Sequence, residues 1–126
     1  VPGQFAVQTA LAGHQSIFDL TKPGGRLHAT RQAVLDAVEK SRHMSVVAPR
    51  GSMYAFVRVK SDLLSEPFSD RKFALELLEK KHVLIAPGSS FNVPYQDHFR
   101  VTFMPLPEQM TDVFGRMEEL LDDYAQ

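Results

Sequence analysis

The run from Met110 to Tyr124 constrains the fold more than any other stretch. Met110, Val113, Phe114, Met117, Leu120, Leu121 and Tyr124 recur at steps of three and four, and Glu118, Glu119, Asp122 and Asp123 fall on the other side. That is the spacing of an amphipathic helix with one wide apolar face. Such a face has to be buried against a surface of matching size, which the rest of the chain must supply. Like charges crowd the end of this helix, where the macrodipole already disfavours them, so its final turn is expected to fray.

Strands supply the surface. In "DHFRVTF" (97–103), Phe99, Val101 and Phe103 point one way and Arg100 and Thr102 the other. "SVVAPRGSMYAFVRVK" (45–60) reads as two strands around the turn Pro49-Arg50-Gly51-Ser52. In the second of them Met53, Ala55, Val57 and Val59 share one face, and Tyr54, Phe56 and Arg58 the other. "HVLIAPGSSF" (82–91) reads as a short buried strand, a Pro87-Gly88 turn and a polar exit. Helical spacing recurs over 26–43, through Leu27, Val34, Leu35 and Val38. It recurs over 70–81 through Phe73, Ala74, Leu77 and Leu78, with Ser69 as the expected N-cap. The first stretch is a Pro-Gly turn followed by a helix-like run through Phe5, Val7, Ala10 and Leu11, with a break at Gly13. Segments 21–25 and 61–69 read as loops. Neighbouring strands joined by short turns favour antiparallel pairing. The expected fold is α+β: a two-layer sandwich with a mostly antiparallel sheet of about four strands, covered by helices, and a long N-terminal connecting helix.

Composition removes several function classes. With 14 basic and 15 acidic residues the net charge is −1, so no broad field draws the chain to nucleic acid or an anionic membrane. Cysteine is absent, which excludes a disulfide scaffold, a thiolate zinc site and a cysteine nucleophile. No apolar run has the length of a membrane span and no basic-then-apolar leader is present. The start at Val1 without methionine is expected of a processed chain or a piece of a longer one. A length of 126 residues with 44% apolar and 23% charged residues fits one ordinary globular domain.

The chemistry-bearing motifs are few. Histidines 14, 28, 43, 82 and 98 show no metal-ligand spacing, and no metal site is expected. Dinucleotide, P-loop and hydrolase-elbow signatures are missing. The turn "PGSSF" (87–91), with the hydroxyls of Ser89 and Ser90 and freed backbone N–H groups, suits either an anion or an ordinary turn. Arg100 is either a charge on the wet face of a sheet or a fixed cation facing a cleft.

Five segments resemble a known family. "VPGQFAVQTAL", "PGGRLHATR", "PRGSMYAFVRV", "VLIAPGSSFN" and "DHFRVTFMP" follow one another as they do in the C-terminal third of class I aminotransferases, the fold-type I pyridoxal-phosphate enzymes. The nearest pattern is the glutamate–pyruvate (alanine) branch. The resemblance implies that residues 1–23 link from an absent large domain and that 24–126 form the small C-terminal domain. It assigns Arg100 to the substrate α-carboxylate, a role that suits the planar two-pronged guanidinium. Anchoring that group fixes how the Cα–H bond lies relative to the cofactor ring. It also suggests that Ser89 and Ser90 line the cleft.

What the resemblance leaves out is equally specific. The family's Schiff-base lysine lies upstream, and none of Lys22, Lys40, Lys60, Lys72, Lys80 and Lys81 has its context. The chain alone is therefore expected to carry no catalytic residue, to bind no pyridoxal phosphate and to be inactive. The full-length enzyme is expected to be a cytoplasmic homodimer. It would use pyridoxal phosphate to move an amino group between an amino acid, alanine or glutamate, and a 2-oxo acid. The large domain and the small-molecule substrates are the expected partners, with no nucleic acid and no membrane. The competing reading is a free-standing α+β ligand-binding or regulatory module, in which Arg100 is a surface charge or meets a small anion.

Overall fold

The computed structural model describes residues 1–126. The N-terminal stretch forms helices α1 (Pro2–Ala12) and α2 (Ser16–Thr21), neither of which buries a residue. The chain then passes close under α2. A Cβ on Gly25 would lie 2.4 Å from the carbonyl oxygens of Asp19 and Leu20, so only glycine fits that crossing. Helix α3 (Arg26–Lys40) follows, then strands β1 (Met44–Val46) and β2 (Tyr54–Val59). Helix α4 (Asp70–Lys81) begins where Ser69 caps it, its hydroxyl accepting from the Lys72 N–H at 3.4 Å. A 3-10 turn (Ser61–Leu63) lies between β2 and α4, and strand β3 (Ala86–Pro87), a second 3-10 turn (Gly88–Phe91), strand β4 (His98–Thr102) and helix α5 (Pro107–Tyr124) complete the chain.

The strands make one sheet in the order β1-β2-β4-β3, every neighbour antiparallel. Register places Phe56 of β2 and Ala86 of β3 on either side of Arg100, and Val57 and Pro87 on either side of Phe99. One face carries Ala55, Val57, Val59, Phe99 and Val101, and these join Val34, Val38, Phe73, Leu77, Phe114, Met117, Leu120 and Leu121 in a single buried core. Burying each such side chain is worth about 1.5–3 kcal/mol. The apolar face of α5 thus finds its partner in the sheet, and no helix of the chain is long and apolar enough to cross a membrane. The α+β class, the antiparallel pairing and the strand count all match the sequence reading.

Local differences have physical causes. The stretch 82–87 is strand only at Ala86–Pro87, where it pairs with Arg100 and Phe99 of β4. Leu84 there is 80% exposed, while Val83 and Ile85 are buried. Gly88 sits so close to β4 that a Cβ would meet the His98 carbonyl oxygen at 2.6 Å. Helix α3 ends at Lys40 rather than His43. The last turn of α5 holds through Tyr124 because the Glu118 and Asp122 carboxylates are engaged by Ser41, Arg42 and His43 rather than left to repel their neighbours.

Candidate functional site

Strand alternation presents Tyr54, Phe56 and Arg58 from β2, and His98, Arg100 and Thr102 from β4, on the face opposite the core. This face is lined with rings. Phe56 meets Phe91 edge-on at 6.1 Å and stacks on His98 at 5.0 Å, and Tyr95 lies 4.4 Å from the same histidine. The 3-10 turn after Gly88 swings Phe91 over the sheet.

Arg100 is half-buried within this aromatic face. Its guanidinium carbon lies 4.3 Å from the Tyr54 ring centroid and 4.5 Å from that of Phe91, so two π faces hold the cation. No carboxylate of the chain pairs with it. Arg26 and Arg31 donate to the carbonyls of Met104 and Pro49, Arg71 donates to the Ser89 hydroxyl, and Arg42, Arg58 and Arg116 pair with acids. Arg50 is exposed to water. Arg100 alone among the arginines combines partial burial with the lack of a protein acceptor. The only buried side-chain N or O atoms without a partner are His43 Nδ1 and the Tyr124 hydroxyl, so the Arg100 N–H groups remain open to a ligand. Beside it lies an open groove of about 740 Å³, bordered by Tyr54, Arg100, Thr102, Met104, Val113 and Arg116.

The two serines lie elsewhere. The Ser89 N–H donates to the buried Asp70 carboxylate at 2.6 Å and its hydroxyl accepts from Arg71 Nε at 3.2 Å. Asp70 thus takes the backbone donor that an anion at this turn would use. Ser90 is exposed, and neither serine borders the Arg100 groove. The member of "PGSSF" that reaches Arg100 is Phe91. Sequence reasoning missed it because a 3-10 turn follows neither strand nor helix periodicity. Tyr54, by contrast, was visible as a neighbour on the same sheet face.

At the other end of β4, Asp97 accepts from Arg58 Nε at 2.9 Å and from His98 Nδ1 at 2.7 Å. Burial pushes its carboxyl up, but the hydrogen bonds from Arg58 and His98 outweigh this and hold it below the usual carboxylate range. A separate cluster brings ligand-type atoms of His43, Glu118 and Asp122 within 4.8 Å of one another. Its carboxylates already serve the Arg42 guanidinium, the Arg42 N–H, the Ser41 hydroxyl and His43 Nε2.

The residues around Arg100 do not fit pyridoxal phosphate. No lysine borders the groove. Lys22, Lys72, Lys80 and Lys81 are paired with acids on the helices, Lys60 donates to the Arg42 carbonyl, and Lys40 is exposed at the end of α3. The face can grip an anion but lacks the amine for a Schiff base.

The chain matches the family model described as aminotransferase class I and II over residues 1–116. It is 36% identical over 126 residues to the glutamate-pyruvate aminotransferase AlaA of Haemophilus influenzae, covering 100% of this chain and 31% of that protein. It is also 36% identical over 126 residues to the alanine aminotransferase of Mycobacterium tuberculosis, covering 100% of this chain and 29% of that one. Among solved structures, an aminotransferase from Escherichia coli superposes with a TM-score of 0.89 at 34% identity, covering 100% of this chain and 31% of that chain. The chain therefore spans under a third of the length of these relatives.

Proposed function

The chain belongs to the class I and II aminotransferases, and from that premise we propose that it is the carboxylate-binding portion of a pyridoxal-phosphate-dependent aminotransferase exchanging an amino group between alanine or glutamate and a 2-oxo acid. Residues 24–126 act as the small domain and 1–23 as the segment leading to a large domain. The large domain contributes the Schiff-base lysine and the cofactor cradle, so this portion alone is inactive. The whole enzyme works as a homodimer.

The observation that carries this reading is Arg100, a half-buried guanidinium clamped between Tyr54 and Phe91 with no anion of its own. A partly desolvated cation left without a protein partner is costly unless a ligand supplies the counter-charge. A carboxylate does so with two parallel charge-assisted hydrogen bonds. Every amino-acid and 2-oxo-acid substrate carries one. The strand mount and the two rings fix the plane of the fork, and so the orientation of the substrate Cα–H bond. Closure of this face over the substrate excludes water and strengthens the ion pair.

The test is Arg100→Lys in the full-length enzyme, which keeps the charge and loses the fork. KM for alanine and for glutamate is expected to rise about tenfold or more, equivalent to about 1.4 kcal/mol, with the thermal midpoint nearly unchanged. Unchanged KM values, or a fall in stability that accounts for the lost activity, would assign Arg100 a structural role instead.

A further inference from the structure

We propose that Asp70 is a positioning residue for the carboxylate site: from the start of α4 it holds the turn that carries Phe91, and through Phe91 it sets the Arg100 fork. The proposal rests on the reading of Arg100 given above and adds to it a residue that touches no substrate.

Asp70 is 1% exposed, and no lysine or arginine of the chain pairs with it. A buried carboxylate without a cation is costly unless backbone donors meet it. The donor here is the Ser89 N–H at 2.6 Å, and the positive end of α4, in whose first turn Asp70 lies, adds to the effect. Ser69 already caps the helix, its hydroxyl accepting from Lys72. The start of α4 therefore has no call on the Asp70 carboxylate, which turns instead to the loop between β3 and β4.

That loop, 88–97, meets Asp70 at both ends. The carboxylate takes the Ser89 N–H, and the Asp70 N–H donates to the Gln96 carbonyl at 3.1 Å. Arg71, the next residue, donates from Nε to the Ser89 hydroxyl at 3.2 Å. Between these ties the loop carries Phe91, which faces Arg100 at 4.5 Å and Phe56 at 6.1 Å, and Tyr95, which lies 4.4 Å from His98. Phe91 is 40% exposed, so burial does not hold its ring over the cation. The backbone that bears the ring has to be fixed instead. Ser89 precedes Phe91 by two residues within one four-residue 3-10 turn, so a bond at Ser89 constrains where the ring lands. A ring displaced by about 1 Å alters the plane in which the guanidinium is held, and with it the fit of the carboxylate.

In the full-length enzyme, Asp70→Ala is expected to raise KM for alanine, glutamate and their 2-oxo acids together, about fivefold. Phe91→Leu should do the same, and the double variant should be no worse than either single one, the signature of one residue acting through the other. Asp70→Asn, which keeps an oxygen facing the Ser89 N–H, should return KM to within about twofold of wild type. Backbone amide exchange over 88–97, followed by mass spectrometry, should quicken in Asp70→Ala and recover in Asp70→Asn. If Asp70→Ala does not fold, Asp70→Ser, whose hydroxyl stops one bond short of the loop, is read in the same way. An unchanged KM, or effects of the Asp70 and Phe91 changes that simply add, would show that Asp70 serves the fold alone and overturn the proposal. Arg100→Lys assayed beside them keeps the two readings apart. A raised KM in that variant with an unaffected Asp70→Ala removes Asp70 only, whereas an unchanged KM in Arg100→Lys removes the carboxylate reading and the role of Asp70 with it.

Discussion

Arg100 and Phe99 are adjacent in sequence and opposite in consequence. Phe99 is fully buried with its ring 5.7 Å from that of Phe73, so Phe99→Ala opens a cavity in the core and should cost about 3–5 kcal/mol in urea unfolding. Phe91 supports Arg100 from outside the core and is 40% exposed. Phe91→Leu should therefore leave the unfolding midpoint within about 0.5 kcal/mol of wild type. In the full enzyme the same change should raise substrate KM several-fold, since removing one ring of the clamp forfeits about 0.5–2 kcal/mol of cation–π hold on the fork. A large stability loss in Phe91→Leu with unchanged KM would count against the clamp. The alternation of "DHFRVTF" was enough to place Arg100 on the face away from the core. It could not say that the face was a site, because a wet arginine and a ligand-binding arginine occupy the same strand phase. The difference lies in Phe91, which a non-periodic turn brings over the cation.

The elements that were legible are those with several turns or several alternations. Helix α5 and the β2–β4 pair carry enough repeats for the core face to be read directly, and Ser69 announced α4 by its capping chemistry. Helix α2 has six residues, too few to show a period, and β3 has only two, too few to show an alternation. At the junction of β2 and β4 the cross-strand neighbours Arg58 and His98 share the Asp97 carboxylate, so this pair of strands is tied by charge as well as by backbone. Asp97 has a folded-state pKa below its unfolded value. Its contribution is therefore present above the ordinary carboxylate value of about 4 and is lost as pH falls through the lower folded value. Unfolding midpoints measured from pH 6 downward should fall more steeply for wild type than for Asp97→Asn, and the two curves should converge in acid. Parallel curves would mean that the Arg58–Asp97–His98 contact is too exposed to affect stability.

Across the whole molecule, burial divides the chain unevenly. From Leu27 to Leu121 one core runs through α3, the sheet, α4 and α5, whereas α1 and α2 bury nothing. Phe5 is 85% exposed, Leu11 76% and Phe18 65%, an apolar surface with no partner in the chain. The helical spacing of Phe5, Val7, Ala10 and Leu11 was readable in the sequence, but whether that stripe met this core or another surface was not, since periodicity gives a face and never its partner. Residues that touch no core add little to its free energy, while an exposed apolar stripe favours association. Deleting residues 1–12 from the 126-residue chain should thus leave the urea midpoint within about 0.5 kcal/mol of the intact chain. Sedimentation at rising concentration should show less self-association in the shortened chain. A midpoint lowered by more than about 1 kcal/mol would mean that α1 folds back onto the core. With stability retained and association reduced, α1 would be an apolar surface that adds nothing to this core and favours association, as its exposed Phe5 and Leu11 imply.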